Sequence, residues 1–200
     1  MTEQNVPIVV VFGRPGAGKT TIAEAADKLL KDKHNVEEII TLDLDVCIPQ
    51  WMKDNFTNGI YPTLAQRDQF AGEACDYVHD QIKTRTPKGA IISFSFVNND
   101  LRNVFRSRFT GAHWMLVDTS AKEAEERIKR RNPEHFYKGA AASIDEPKSA
   151  NDGTPSVKDQ DNCEWKFDDV DFKHTILNGL SSIESNAALV TDAILSMLGR

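Results

Sequence analysis

Gly13-Arg14-Pro15-Gly16-Ala17-Gly18-Lys19-Thr20 fits the pattern GxxxxGK[ST] and sits, with Thr21 after it, between an apolar run and a helical stretch. The residue types suit phosphate. Glycines let backbone N–H groups converge on phosphate oxygens with no Cβ in the way. The helix that begins near Lys19 adds the positive end of its dipole. Lys19 can reach the terminal phosphates of a nucleotide, and the Thr20 hydroxyl can ligate Mg²⁺. Gly13, Arg14, Pro15, Gly16, Ala17, Gly18, Lys19, Thr20 and Thr21 are therefore the candidate cofactor-binding set, with ATP and Mg²⁺ as the cofactors. The loop is silent about what receives a phosphate.

Moving a phosphate onto a hydroxyl needs an acceptor held in line and a group to take its proton. "TLDLDVCIP" (Thr41–Pro49) offers two carboxylates, Asp43 and Asp45, at the end of a strand. Residues two apart on a strand share a face, and parallel sheets bind ligands at their carboxyl edge. One aspartate can hold Mg²⁺ through water while the other orients the acceptor. Exposed turn aspartates would look the same in sequence.

The elements that must position these groups alternate, which implies an α/β fold with a five-stranded parallel sheet flanked by helices. Strands are expected at Pro7–Phe12, Glu37–Asp43, Ala90–Phe96, Ala112–Asp118 and His174–Gly179. Helices are expected from Lys19 to Leu30, from Thr63 to about Lys83 with Phe70, Ala74, Val78 and Ile82 on one stripe, and from Ser120 to Arg131. Ser120 with Glu123 makes a capping box for the third of these, and Ser181 with Glu184 opens a last helix. Residues 1–200 are expected to form one domain, with no internal repeat.

One stretch departs from the alternation. Ser143–Asp171 sets nine carboxylates against Lys148, Lys158 and Lys166, a net charge of −6. With Pro147, Gly153 and Pro155 it reads as a mobile surface excursion, of which residues 148–171 form an acidic insertion. The whole chain also carries −6 with a pI near 5.4, which argues against a nucleic-acid backbone as partner. Cys47, Cys75 and Cys163 form no CxxC pair and no even set, as in a reducing compartment. The N-terminus lacks a basic region and an apolar core, and no apolar run is long enough to span a bilayer. A cytoplasmic protein without a membrane or nucleic-acid partner is the expectation.

The order of these motifs resembles the P-loop gluconate kinases, relatives of shikimate kinase in fold. Their pattern D-G-D-x-x-H-P, then a glycine and G-x-P-L-x-D-x-D-R-x-x-W, is matched in register by Asp43, Asp45, Pro49, Gly59, Arg67 and Phe70. Ser95, Arg102 and Arg106 keep the spacing of C-S-A-L-K-x-x-Y-R-D-x-L-R. "RIKRRNPEHFYKG" resembles the lid, R-L-x-x-R-x-x-H-F, with one extra residue before His135-Phe136. The resemblance implies a P-loop kinase of the nucleoside and shikimate kinase type, with a substrate-side helix over 63–84 and a lid over 127–147. It gives Asp45, Arg67 and Arg102 to the acceptor, Asp43 and Thr20 to the metal, and Lys19, Asp45, Arg127 and Arg131 (or Arg130) to catalysis. The implied reaction moves the γ-phosphate of ATP to a hydroxyl of a sugar acid such as gluconate, an anionic small molecule. A homodimer is compatible with it.

The departures fall in the acceptor half. Ile48 replaces histidine, Leu64 and Gln66 replace two aspartates, Tyr61-Pro62 replaces Pro-Leu, and Asn98 replaces lysine. Two other readings follow: a nucleoside monophosphate kinase, opposed by the absence of a D-G-[FY]-P-R-like segment, and a nucleotide-binding regulatory protein with a decayed acceptor site. A motor or GTPase is opposed by the lack of an N-K-x-D signature and of an aspartate ending the third strand.

Overall fold

Val9, Val10, Val11 and Phe12 expose nothing to solvent, as a strand apolar on both faces requires when sheet neighbours and helices cover it. The computed structural model describes residues 6–58, 60–131 and 167–200. In it, β1 (Ile8–Phe12) is the central strand of a five-stranded sheet with the order β2-β3-β1-β4-β5. The others are β2 (Ile39–Asp43), β3 (Gly89–Phe94), β4 (His113–Asp118) and β5 (Thr175–Asn178). Every pairing is parallel. Parallel neighbours need crossover connections, and helices supply them.

Two helices cover one face of the sheet: α1 (Lys19–His34) and α6 (Ile183–Met197). Ile22, Ala26 and Leu30 of α1 join Ala187, Val190 and Ile194 of α6 in one apolar cluster with Val9, Val11 and Ile91. The opposite face takes α3 (Leu64–Arg85) and α4 (Asn99–Arg108), the second between β3 and β4. There Phe70, Ala74 and Val78 pack with Leu101, Phe105 and Trp114 over Val10, Phe12 and Ile92. A short α2 (Gln50–Thr57) follows a single 3₁₀ turn at Leu44–Cys47, and α5 (Ala121–Arg131) follows β4.

The expected strands and helices are all present, and three details differ. Thr63 is not the first helical residue but the cap of α3: its hydroxyl accepts from Gln66 N–H, and the Gln66 side chain accepts from Thr63 N–H at 2.9 Å. The cap of α6 is Ser182, whose hydroxyl accepts from Ser185 N–H at 3.1 Å, one residue beyond the expected Ser181. Ser120 does accept from Glu123 N–H at 3.2 Å, but the Glu123 carboxylate turns away to Arg127 instead of closing the box. The lid beyond Arg131 and the insertion up to Lys166 lie outside the described residues, as do Gly59 and Cys163. Among the described residues no helix is long and apolar enough to cross a membrane.

Candidate active site

The loop between β1 and α1 needs glycine for steric reasons that can be read directly. Gly16 has φ 82°, and a Cβ there would lie 2.5 Å from the Ala124 carbonyl oxygen of α5. Gly13, at φ 150°, would place a Cβ 2.7 Å from the Val117 carbonyl of β4. The loop is thus wedged against β4 and α5, with Ala17 N–H donating to the Arg14 carbonyl at 3.0 Å to close its turn. Gly18 caps α1, so Lys19, Thr20 and Thr21 form its first turn, where unpaired N–H groups gather. Thr21 is exposed there, and the Lys19 ammonium donates to the Arg14 carbonyl at 3.0 Å.

At the end of β2 the Asp43 carboxylate makes two contacts. Its Oδ2 accepts the Thr20 hydroxyl at 2.8 Å, and its Oδ1 accepts Asp45 N–H at 3.0 Å, capping the 3₁₀ turn. Asp43 therefore links the phosphate loop to Asp45. The Ser93 hydroxyl stands in register with Asp43 on β3, fully buried and without a hydrogen-bond partner. Two oxygen ligands, Thr20 and Asp43, beside an orphaned buried hydroxyl fit Mg²⁺, which prefers oxygen and keeps several waters. Among the described residues no cluster of three or more His, Cys, Asp or Glu side chains could form a metal cage.

Lys19 and Asp45 are tuned in opposite directions. Burial, aided by Arg131, draws the Lys19 ammonium down to about 8, against the pull of Asp45 and Asp43. Loss of hydration and then the Asp43 charge push the Asp45 carboxyl above the usual carboxylate range, with Lys19, Lys53 and Arg131 opposing. Asp45 nonetheless keeps part of its surface exposed, and it lines a cavity. A carboxylate raised toward neutrality next to a lowered lysine is an arrangement suited to proton transfer beside a phosphate.

Arg127 on α5 lies at the joint of three elements. Its Nη1 donates to the Ala17 carbonyl at 3.3 Å, Nη2 to the Gly179 carbonyl after β5 at 2.8 Å, and Nε to Glu123 at 2.9 Å. Arg131 ends the described part of α5, exposed, with its charge felt at both Lys19 and Asp45. Arg130 pairs on the outer face with Glu126 at 3.8 Å.

Across the loop from α5, Asp45 opens on a cavity of about 260 Å³ floored by Pro15 and walled by α2, α3 and the β3–α4 connection. Arg67 reaches it from α3. Its Nε donates to Asp100 Oδ2 at 2.6 Å and its Nη1 to the Pro62 carbonyl at 2.8 Å, while Nη2 makes no hydrogen bond among the described residues. Lys53, Tyr61 and Ser95 complete the polar lining, and the Tyr61 hydroxyl is held by Asn98 Oδ1. A second cavity, about 400 Å³, lies beside Arg14, between the end of β4 and Phe167–Val170.

Arg102 is placed elsewhere, which corrects the expectation that it binds the acceptor. It exposes none of its surface, and it does not line the cavity. Phe96 adopts φ 43°, a left-handed conformation costly for a bulky residue, and the turn brings the Phe96 and Val97 carbonyls to Arg102 Nε and Nη2 at 2.7 and 3.1 Å. Its Nη1 donates to the Asp168 and Asp169 carbonyls at 2.9 and 3.2 Å, and the Phe167 ring lies 4.6 Å from its guanidinium carbon. Burial brings it down to about 10, against the charges of Asp168, Asp171, Asp169 and Asp100, so it stays protonated at neutral pH. The acidic stretch, expected to be a mobile excursion, thus ends in a strap at 167–171 fixed to α4. Phe172 continues it by stacking near Phe12 and Trp114.

Sequence reasoning missed Lys53, because α2 lacks a clean apolar period, and the Tyr61–Asn98 pair, whose partners are distant in the chain. It also missed Ser93, whose only signal is a hydroxyl in an otherwise apolar strand.

The fold and loop together define a P-loop protein with a five-stranded parallel sheet of the P-loop kinase fold. Residues 8–149 match the family model described as AAA domain, and the chain belongs to that family. None of the curated proteins matches it by sequence. Solved structures do resemble it. A sugar kinase from Janibacter sp. HTCC2649 has a TM-score of 0.63 at 18% identity, covering 96% of this chain and 98% of that one. The APS kinase of Mycobacterium tuberculosis, in complex with AMPPNP and APS, has 0.63 at 15%, covering 94% and 96%. A gluconokinase from Sinorhizobium meliloti 1021 has 0.60 at 14%, covering 99% and 94%. At these identities the likeness is one of fold.

Proposed function

We propose that this protein is an ATP-dependent small-molecule kinase that transfers the γ-phosphate to a hydroxyl of a compact acid, the sugar acids such as gluconate that the resemblance implies being one class and acids with a less hydroxylated body another. The observation that supports this is the Thr20–Asp43–Asp45 chain of contacts, which runs from the phosphate loop to a carboxylate lining a neighbouring cavity. Nucleotide phosphates sit on the backbone of Gly13–Thr21 with Lys19 at their terminal end. Thr20 and Asp43 would hold Mg²⁺, which neutralises charge on the phosphates. Asp45 accepts the acceptor's proton as its oxygen bonds to phosphorus and the bond to the ADP oxygen breaks. Arg131 adds positive charge near the transferring group, and Arg127 braces the loop that cradles it. Arg67 offers Nη2 to an acceptor carboxylate, a pairing that suits guanidinium geometry. The free thiols of Cys47 and Cys75 favour the cytoplasm as the place of work.

Purified protein with ATP, Mg²⁺ and a panel of sugar acids, polyols, shikimate and nucleoside monophosphates tests this through ADP release. Stimulation by a hydroxy acid is the expected result. ADP release that no acceptor stimulates would contradict the kinase reading and leave nucleotide binding or hydrolysis.

A further inference from the structure

We infer, resting on the kinase reading, that the acceptor is a hydroxy acid with an apolar body about one ring in size, and not a polyhydroxy acid. The cavity walls carry the case. Met52 and Phe56 of α2 face Phe70 of α3, Phe94 of β3 and Leu101 of α4, while Ile48 lines the mouth beside Asp45. Phe70 and Phe94 lie with ring centroids 5.3 Å apart and tilted by 40°, an edge against which another ring packs well.

Among the described residues the polar groups of the lining are few, and several are already engaged. Tyr61 gives its hydroxyl to Asn98, and Arg67 spends Nε on Asp100 and Nη1 on Pro62. Asp45 and Ser95 also line the space, together with Arg67, whose Nη2 makes no hydrogen bond among the described residues. That set satisfies one reacting hydroxyl and one anionic group. Each further hydroxyl would be desolvated against carbon, a loss of roughly tenfold in affinity apiece. A volume of about 260 Å³ lies at the small end of ligand cavities and suits a body of about one ring.

The test uses the full chain with Mg²⁺ and two acceptors, 4-(hydroxymethyl)benzoate and gluconate. Calorimetry with the non-hydrolysable analogue AMPPNP present measures binding, and ADP release from ATP measures turnover. The ring acid is expected to bind at least tenfold more tightly and to show a kcat/KM at least tenfold higher. Phe56→Ser should erase most of that preference, and Phe56→Leu should keep it. Equal or tighter binding of gluconate, or binding of neither, overturns the inference. If the ring acid binds tenfold more tightly yet neither compound releases ADP, the inference stands and the kinase reading falls.

Discussion

The Thr20 hydroxyl donates to Asp43 Oδ2 at 2.8 Å, tying the first turn of α1 to the carboxyl end of β2. Hydrogen bonds to a charged group are worth about 1.5–3 kcal/mol, enough to hold both oxygens in one place before any metal arrives. Asp43→Asn and Thr20→Val should each raise the Mg²⁺ concentration for half-maximal turnover about tenfold or more while leaving metal-free nucleotide binding intact. A Mg²⁺ titration of ADP release checks this. Unchanged Mg²⁺ dependence in both variants would remove the pair from the metal site.

The opposed tuning of Lys19 and Asp45 gives a pH signature. In the proposed mechanism Lys19 acts as a cation; burial lowers it to about 8 in the free protein, so kcat/KM for ATP should fall above about pH 8. Asp45 acts ionised, and its raised pKa moves the acidic limb above the ordinary carboxylate range. The profile is therefore a bell narrowed from both sides. Lys19→Arg should flatten the alkaline limb whatever it does to the rate. A profile level to pH 9.5 in the wild type would contradict this.

Arg102 should behave as a structural residue. Four carbonyls, those of Phe96, Val97, Asp168 and Asp169, take its donors, and each left unpaired when buried costs about 1–3 kcal/mol. Arg102→Met should lower unfolding free energy in urea by at least about 3 kcal/mol and expose the strap at 167–171 to proteolysis. A substrate-binding arginine would instead raise KM with the urea midpoint unmoved.

What could be read from sequence was whatever depends on near neighbours. Gly13–Thr21 declares itself because loop, cap and helix start within one short run, and Asp43 and Asp45 follow from their place after an apolar strand. The cap shift from Ser181 to Ser182 shows the limit of that reading, since adjacent serines offer the same hydroxyl. Arg102 went the other way for a physical reason: its fate depends on Asp168 and Asp169 returning from a distant part of the chain, and no local pattern encodes that return. Arg67 lies at the cavity with its Nε paired to Asp100, whose position on α4 only the packing of α3 against α4 reveals.

The account turns on Asp45 taking a proton while phosphate moves to a bound hydroxyl. Label at the γ-position of ATP can be followed to its destination with wild-type protein and with Asp45→Asn. Wild type should place the label on the acceptor, Asp45→Asn should cut that transfer about 10²-fold or more, and nucleotide affinity should match between the two. Label found only as inorganic phosphate, or transfer undiminished in Asp45→Asn, would contradict it.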